Sequence, residues 1–419
     1  MHDDRRRFLF RLAAAGTAGL LRAAPARAAT GARVVVVGGG FAGATAAKYL
    51  RLWDPSLAVT LIVRAPDYVS CPLSNLVLGG SRTLPEMTFN YDTLARRYDV
   101  RVVVAEALAV DPVKRAVETA GGPHAYDRVI LAPGIGFRYE DVPGLETAAW
   151  RESFPHAWVA GRQTELLRAQ LLSLAPGGRV VMTIPPMPFR CPAGPYERVC
   201  QIAFYLKFSK PGARLIVLDA NPDIVVKPAL FRRAFEERYA GVVEYRPGTP
   251  LLGVDGKRLA ALTPAGAVSG DLINIIPPQR AGDIARAAGV TDAEGRWCPV
   301  DFRSYESVLR PGVHVIGDAI GSSLPKSAHL ANGQAKICAH AVLSLLRGED
   351  VAFDPVLANT CYSWVSAGEA MNISSVYRYD PSAQAMRSVG AERPSESANK
   401  FEAYYAQAWA KNIWHDSFG

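Results

Sequence analysis

Apolar runs of strand length alternate with helix-like stretches near the start of the chain. Residues 34 to 37 are four valines in a row, and a glycine-rich turn over residues 38 to 43 separates them from helical spacing at residues 44 to 50. A further apolar run at residues 58 to 63 predicts another strand. This order predicts a βαβ unit in which the glycines let the backbone approach a pyrophosphate at the helix N-terminus.

A strand-like run farther along the chain, residues 179 to 184, predicts another nucleotide-binding-like domain. The turn after it contains Pro185, Pro186 and Pro188, where a nicotinamide-binding domain would carry glycines. Proline fixes φ and has no N–H to donate, so this turn cannot cradle a pyrophosphate as a glycine loop does. We therefore expect that the nicotinamide site is lost and that Cys191 stands where it would have been.

Two later features indicate the cofactor. The apolar run at residues 313 to 316 ends in Gly317-Asp318, which resembles the motif whose aspartate meets the ribityl chain of FAD in flavoproteins with two dinucleotide-binding domains. Pro133-Gly134 also follows an apolar run and resembles the turn at which the chain leaves the flavin domain. Together they predict an FAD domain built from distant parts of the chain.

The end of the second predicted strand departs from that pattern. It reads Val63-Arg64, without the acid that usually hydrogen-bonds the adenosine ribose. Arg64 could instead approach a phosphate or stack on adenine. A preference for NADP is the competing interpretation, which the proline turn of the second domain argues against.

The first 28 residues have the features of a removable export signal. An Arg-Arg-x-Phe-Leu core lies at residues 5 to 9, an apolar run follows at residues 12 to 21, and small residues suited to cleavage lie at 26 to 28. A non-cleaved anchor is the alternative, but the apolar run is shorter than the roughly 20 residues that span a bilayer. We expect export to the periplasm by the twin-arginine route.

Composition narrows the class of protein. The formal net charge is +8, and the predicted signal carries four of these charges, so the remaining chain is only mildly basic and a nucleic-acid partner is not expected. No later segment is apolar for long enough to predict membrane insertion. Six cysteines are too few for a disulfide-built scaffold, although an oxidising compartment permits a disulfide. No metal site is predicted.

Short motifs spread over the chain carry a family resemblance. Besides the glycine turn they are Tyr68-Val-Ser-Cys71-Pro-Leu-Ser-Asn75, Cys191-Pro-Ala-Gly-Pro-Tyr-Glu197-Arg198, Trp297-Cys298-Pro-Val-Asp301, Gly317-Asp318, Pro325-Lys326-Ser-Ala-His329, Asn359-Thr-Cys361-Tyr362 and Asp416-Ser-Phe-Gly419. The sequence thereby resembles the flavoprotein subunit of flavocytochrome c sulfide dehydrogenase, including the flavoprotein of sulfur-oxidation clusters. It resembles the sulfide:quinone oxidoreductases more distantly.

The resemblance implies an α/β fold with two Rossmann-like dinucleotide-binding domains in a glutathione-reductase-like FAD/NAD(P) architecture. The FAD-binding domain is expected at residues 31–144 and 284–350, the second nucleotide-binding-like domain at 145–283, and a smaller C-terminal domain at 351–419. The residues expected to bind the cofactor are Gly38, Gly40, Phe41, Ala42, Gly43, Arg64, Cys71, Pro133, Gly134, Gly317, Asp318 and Lys326.

Two of these residues have particular roles implied by the family. Cys71 would hold FAD covalently as an 8α-S-cysteinyl thioether, and the alternative is a small buried thiol. Lys326 would lie by the flavin pyrimidine and stabilise the anionic reduced form. Its alternative is a solvated surface lysine, the usual environment of a single lysine.

Cys191 and Cys361 resemble the redox-active pair of the family, and Glu197 resembles the acid proposed to take a proton at the sulfur site. Sulfide would attack the disulfide by thiol exchange, leaving a persulfide and a thiolate that passes electrons to FAD. A structural disulfide between domains and an ordinary acid at a helix start are the alternatives. The remaining cysteines are expected to be structural, namely Cys200, Cys298 and Cys338.

The route by which electrons leave is implied only by the family. No Cys-x-x-Cys-His motif occurs, so the chain attaches no c-type haem of its own, and a separate c-type cytochrome subunit is implied. The expected enzyme is a periplasmic, FAD-dependent sulfide:cytochrome c oxidoreductase. The alternatives are a sulfide:quinone oxidoreductase at a membrane, which the charges in the tail disfavour, and a thiol-exchange partner that reactivates a sulfur-carrier protein.

Overall fold

The computed structural model describes residues 31–419, and the predicted export signal at residues 1–28 lies outside this part. Strands and short helices alternate along its first hundred residues. The elements are β1 (Arg33–Val37), α1 (Phe41–Trp53), β2 (Ala58–Val63), β3 (Asp67–Val69), α2 (Asn75–Gly79), β4 (Thr88–Asn90), α3 (Asp92–Tyr98), β5 (Arg101–Val104), β6 (Ala107–Asp111), β7 (Ala116–Thr119), β8 (Gly122–Ala125), β9 (Arg128–Leu131) and β10 (Ile135–Phe137).

The middle of the chain repeats the alternation. Its elements are α4 (Ala148–Ser153), α5 (Arg162–Ser173), β11 (Arg179–Ile184), α6 (Gly194–Ser209), β12 (Arg214–Asp219), α7 (Pro228–Arg233), β13 (Val243–Arg246), β14 (Gly253–Asp255), β15 (Ala260–Thr263), β16 (Gly266–Ser269), β17 (Leu272–Ile275), β18 (Gln279–Ala281) and α8 (Asp283–Ala287). The last part consists of β19 (Val313–Val315), α9 (Ala328–Leu346), β20 (Val356–Trp364), β21 (Ala370–Asp380), β22 (Ala385–Pro394) and α10 (Lys400–Phe418).

Two parallel sheets form the framework. The first has the strand order β19-β9-β1-β2-β5, so the chain returns to it with β19 after the middle part is complete. The second has the order β13-β12-β11-β17. The valines of β1 are all buried, as expected for a parallel strand that is covered on both faces. The predicted strands at residues 58 to 63 and 179 to 184 match β2 and β11.

The C-terminal part is an antiparallel sheet, β20-β21-β22, followed by α10. The end of α10 is held against α1 by Lys48, whose Nζ donates hydrogen bonds to the carbonyls of His415, Asp416 and Gly419 at 3.1, 3.1 and 2.6 Å. An ammonium group satisfies the last carbonyls of a helix and complements its dipole. This contact fixes the closing helix beside the glycine turn. Within residues 31–419, no helix combines the length and apolar character that a membrane span requires.

Candidate active site

A single large cavity of about 830 Å³ lies where the strands of the first sheet end. Its walls include the residues that follow β1, β2, β5, β9 and β19, together with residues of β20, α10 and the turn before α6. Parallel strands end at one edge of a sheet, and that edge is where such folds bind dinucleotides. The cavity therefore brings together segments from the beginning, middle and end of the chain.

The glycine turn forms one wall of this cavity. Gly38 has a φ of +105°, and a Cβ on it would collide with the carbonyl of Ala132, so the turn needs glycine here. Helix α1 begins at Phe41 with no acidic residue in its first turn and no side-chain cap. Its first N–H groups are consequently available, and an open helix N-terminus favours an anion such as a pyrophosphate.

Asp318 supplies a second feature that fits FAD. It follows β19 and lines the cavity, and burial raises the pKa of its carboxyl group. Its buried Oδ1 atom accepts no hydrogen bond from any group in residues 31–419. A buried acceptor without a partner is costly, so a hydroxyl-bearing ligand would satisfy it. The open helix N-terminus and this unpaired acceptor together fit the pyrophosphate and the ribityl chain of FAD.

Carboxylates that the sequence analysis did not consider line the cavity near its expected adenosine end. Val63 and Arg64 are at the wall as predicted, but so are Asp67 and Glu106. Glu106 lies just beyond β5, the neighbour of β2 in the sheet. Its position after an apolar strand was the available signal, because the ends of neighbouring parallel strands lie side by side. The absence of an acid at residue 63 thus does not leave the cavity without carboxylates.

Cys71 lies in the turn between β3 and α2 and lines the cavity. The turn is closed by Ser74, whose Oγ donates a hydrogen bond to the carbonyl of Cys71 at 2.7 Å. The thiol is half-buried and free, and the charged side chain of Arg190 faces it across the cavity. It is therefore placed where a ligand in the cavity could reach it.

Cys191 and Cys361 meet in the same cavity although they are far apart in sequence. Cys191 lies just before α6 with a φ of +55°, and its N–H donates to the carbonyl of Lys326 at 2.8 Å. Cys361 lies on β20 and pairs with Ile373 of β21. Both are free thiols, and each shifts the pKa of the other.

The two sulfurs differ in acidity. A hydrogen bond with Cys191 and the positive charge of Lys227 lower the pKa of Cys361 to about 6, although burial opposes them. The same hydrogen bond, burial and the charges of Cys361 and Glu197 raise the pKa of Cys191 well above its usual range. The surroundings of the pair therefore favour the thiolate on Cys361 and the thiol on Cys191.

Glu197 lies in the first turn of α6 and is buried beside the cysteine pair. Its Oε1 accepts a hydrogen bond from the peptide N–H of Trp364, and its Oε2 accepts one from Asn75 Nδ2, both at 2.9 Å. Burial raises the pKa of Glu197 to about 7, more than these hydrogen bonds lower it. Glu197 is therefore a helix-start acid and also a carboxyl group able to exchange a proton near neutral pH.

Comparison with known protein families matches three stretches of the chain. Residues 32–170 match the pyridine nucleotide-disulphide oxidoreductase model, residues 164–277 the central model of the sulfide dehydrogenase [flavocytochrome c] flavoprotein chain, and residues 353–418 the flavocytochrome c sulphide dehydrogenase flavin-binding model. The flavoprotein chain of sulfide dehydrogenase [flavocytochrome c] from Chlorobaculum thiosulfatiphilum is 62% identical over 45 residues, which are 94% of that sequence and 11% of this chain. This chain belongs to that flavoprotein family.

Solved structures show the same fold at low sequence identity. The sulfide:quinone oxidoreductase of Aquifex aeolicus matches with a TM-score of 0.71 and 18% identity, over 92% of this chain and 91% of that one. The putidaredoxin reductase–putidaredoxin complex matches with a TM-score of 0.65 and 17% identity, over 91% and 93%. The predicted family and α/β fold class are confirmed, and the family's flavin-binding model supports the prediction of an FAD flavoprotein.

The flavoprotein's second nucleotide-binding-like domain is closed by its own side chains. Asp219, at the end of β12, accepts hydrogen bonds from the hydroxyls of Tyr196 and Tyr245 at 2.8 Å each. Its other oxygen accepts from the N–H and the Nδ2 of Asn221 at 2.9 and 2.7 Å. The acid at the position where a ribose would bind is thus occupied by internal donors, which agrees with a proline turn unsuited to a pyrophosphate.

Lys326 is not the solvated lysine of the alternative interpretation. It is 6% exposed, its Nζ donates to the carbonyl of Ile320 at 2.6 Å, and it lies 3.7 Å from the centre of the Trp297 ring. Burial lowers the pKa of Lys326 to about 8. Lys326 lines a small space that Asp318 also lines, and it is not among the residues that line the large cavity. Its contact with the cofactor stays a prediction.

Several side chains near the sulfur pair were not predicted to have a role. Asn75 joins Glu197 to the buried Arg198, whose Nε donates to Asn75 Oδ1 at 3.1 Å. Arg190 lines the cavity and donates to the carbonyl of Trp158. Asn75 is the last residue of the quoted Cys71 motif, and Arg190 directly precedes the Cys191 motif; these positions were the only signal for them. No role was predicted for Lys227, because nothing near it in sequence marks a site.

The aromatic residues of the tail divide into two groups. Trp409 and Trp414 pack on the core. Phe401, Tyr404 and Tyr405 are 76%, 70% and 54% exposed, so packing does not explain them. The three exposed rings lie on the first two turns of α10 and form an aromatic surface. The remaining cysteines are buried as expected, namely Cys200, Cys298 and Cys338.

Proposed function

We propose that this flavoprotein is a periplasmic sulfide dehydrogenase that oxidises sulfide at a Cys191–Cys361 disulfide and delivers the electrons to a c-type cytochrome. The observation that carries the proposal is the meeting of these two cysteines in the cavity that begins at the glycine turn. They come from two different domains, and the structural-disulfide alternative does not explain why they face a cavity. The family and its sulfide:quinone oxidoreductase neighbour support sulfide as the substrate.

The acidity of the two sulfurs gives the exchange reaction a direction. Hydrosulfide attacks one sulfur of a disulfide and expels the other as a thiolate, and the thiol of lower pKa leaves faster. Cys361, with a pKa of about 6, is the better leaving group. The incoming sulfur therefore attaches to Cys191 and Cys361 becomes the thiolate.

Glu197 is proposed to take one proton from incoming H₂S, which leaves hydrosulfide as the attacking species. Its pKa of about 7 lets it accept a proton near neutral pH and release it again. Its hydrogen bonds from Trp364 and Asn75 hold the carboxylate in place without protonating it. The negative charge of a deprotonated Glu197 also raises the pKa of Cys191, which keeps that residue a thiol in the reduced pair.

The cavity residues divide the binding of FAD among them. The turn at residues 38 to 43 would hold the pyrophosphate, Asp318 the ribityl chain, and Cys71 the 8α position as a thioether. Arg64, with Asp67 and Glu106, lines the wall proposed for the adenosine. Bound there, FAD supplies an acceptor for two electrons that can pass them on one at a time.

The test is sulfide-dependent reduction of cytochrome c by the purified flavoprotein. Wild type is expected to turn over, whereas Cys191→Ser and Cys361→Ser are expected not to. Cys338→Ala, at a buried position on α9, is the matched control and should retain activity. Mass spectrometry of acid-denatured protein should also find flavin on the Cys71 peptide. Turnover that survives loss of either cysteine would contradict the proposal.

One observation favours a second candidate, a sulfide:quinone oxidoreductase at a membrane. The aromatic surface of Phe401, Tyr404 and Tyr405 is exposed on α10, and aromatic side chains are suited to a membrane interface. The test is reduction of a soluble quinone together with sedimentation with anionic vesicles. Binding to vesicles that is lost in a Phe401→Ser variant, with quinone reduction faster than cytochrome reduction, would favour this candidate.

A further inference from the structure

Lys227 lies close behind Cys361, on a different part of the fold. It precedes α7, has a φ of +54°, and is 4% exposed. Its Nζ donates hydrogen bonds to Ser363 Oγ at 2.7 Å and to the carbonyl of Cys361 at 3.1 Å. Residues two apart on a strand face the same side, so Cys361 and Ser363 both project toward this lysine.

Lys227 carries a buried positive charge. Its Nζ hydrogen bonds go to a hydroxyl and a peptide carbonyl, both uncharged, although a buried ammonium group is expensive unless a counter-charge is nearby. The titratable groups that face it are Cys361, Glu197, Cys191 and Glu402, and Cys361 has the strongest influence on it. Burial lowers the pKa of Lys227, and the negative charge of Cys361 opposes this effect. The Cys361 thiolate is thus the counter-charge that the fold offers.

We propose that Lys227, acting partly through the Ser363 hydroxyl, is a positioning residue that stabilises Cys361 as the thiolate released when the disulfide opens. The inference rests on the proposed function and deepens it, because it assigns the two sulfurs different roles. Cys191 receives the substrate sulfur, and Cys361 receives the electron pair of the broken bond.

The step balances in atoms and charge. A lone pair of hydrosulfide forms a sulfur–sulfur bond to Cys191 Sγ, and the Cys191–Cys361 bond breaks. Its electron pair stays on Cys361, so the incoming sulfur is oxidised and the Cys361 sulfur is reduced. The proton remains on the terminal sulfur of the Cys191 persulfide. One negative charge enters and one negative charge remains, beside Lys227.

This arrangement makes the oxidised and reduced pairs electrostatically unequal. The disulfide is neutral and leaves only the carboxylates of Glu197 and Glu402 facing Lys227, whereas the reduced pair adds a thiolate. Lys227 should therefore favour reduction of the disulfide and acidify Cys361. Ser363 should contribute less, because its hydroxyl adds a hydrogen bond to Cys361 without a charge.

The test compares Lys227→Met, Lys227→Arg and Ser363→Ala in the flavin-loaded protein. The first readout is the pH dependence of alkylation of Cys361 in the reduced protein, followed by mass spectrometry of its peptide. The second is the disulfide–dithiol equilibrium in dithiothreitol buffers. Lys227→Met should raise the pKa of Cys361 and make the disulfide about tenfold harder to reduce, or ~30 mV for a two-electron couple. Lys227→Arg should restore most of both values, and Ser363→Ala should shift them less in the same direction.

Lys48→Met is the matched control, since Lys48 is also buried but its Nζ donates to the carbonyls of His415, Asp416 and Gly419. It should destabilise the fold without changing the pKa of Cys361. Unchanged alkylation and unchanged reduction in Lys227→Met would overturn the inference and leave the proposed function standing. If wild type forms no Cys191–Cys361 disulfide, the proposed function fails, while the alkylation profile still tests Lys227. If Lys227→Met does not fold, an unshifted Ser363→Ala profile overturns the inference.

Discussion

Each of the two parallel sheets contains a strand followed by a turn and a helix, but the two turns differ in their suitability for a nucleotide. After β1 the turn is glycine, and α1 begins with open N–H groups that face a large cavity. After β11 the turn is proline, and the chain places Cys191 just before α6. At the end of β12, the carboxylate of Asp219 accepts hydrogen bonds from the hydroxyls of Tyr196 and Tyr245. The unit at β1 retains the features of a nucleotide site, whereas the unit at β11 places a cysteine sulfur at the cavity.

This difference shows that nucleotide binding by such a unit depends on a few backbone positions in the turn. Glycine permits close approach and leaves donors free, whereas proline removes both. In the second domain Asp219 accepts only internal hydrogen bonds, and the proline turn leads to Cys191 at the wall of the cavity. A domain can thus lose a ligand site and gain a reacting group through one turn.

The largest effect is expected when the sulfur that follows the proline turn is removed. Cys191→Ser should lower sulfide-dependent turnover by on the order of 10³-fold or more, because a hydroxyl cannot form the disulfide. Cys361→Ser should do the same, and Cys338→Ala should not. Steady-state reduction of cytochrome c measures the effect. Substantial activity in Cys191→Ser would mean that the proline turn has lost one site without gaining another.

The next largest effect concerns Glu197, which follows that turn. Its pKa of about 7 means that the carboxylate capable of taking a proton forms as the pH rises through 7, so activity should fall below that pH. Glu197→Gln should lower turnover about 10²-fold and remove this dependence, leaving only the titration of sulfide itself. The pH profile of turnover measures it. Glu165→Gln, at an exposed position, is the control, and identical profiles would contradict the role.

The glycine turn offers the converse test. Gly38→Ala places a Cβ against the carbonyl of Ala132 at a φ of +105°, so bound flavin should fall at least about tenfold. Pro186→Ala should leave the flavin content unchanged. The flavin-to-protein absorbance ratio measures both, with circular dichroism as a check on folding. Full flavin in Gly38→Ala would contradict the proposed pyrophosphate site.

The smallest expected effect lies in the closed domain. Tyr245→Phe removes one of four donors to Asp219 and should cost about 1 kcal/mol of stability. A lower urea midpoint measures the loss, and Tyr405→Phe on the surface is the control. NADH binding should remain undetectable by titration calorimetry. If Tyr245→Phe bound NADH, a single hydroxyl would be what closes the second site.

Local features of the sequence were sufficient for the framework. The valine run, the glycine turn and the run at residues 179 to 184 each lie in a continuous stretch, and the strands they predict were found. The burial of the aromatic side chains in α10 was harder to predict. Trp409 and Trp414 of α10 pack on the core, whereas Tyr404 and Tyr405 of the same helix are exposed. Periodicity gives the faces of a helix without showing how wide the buried face is.

Sequence by itself determined the family, the strands and the cysteines that chemistry would need, because each is carried by neighbouring residues or by a short motif. The tertiary structure decided which distant groups share one cavity. It placed Lys227 behind Cys361, Asn75 against Glu197, and Glu106 beside Arg64. It also decided the different acidity of the two sulfurs. Burial and the field of charges from other elements set a pKa, and neither is written in the residues next to a cysteine.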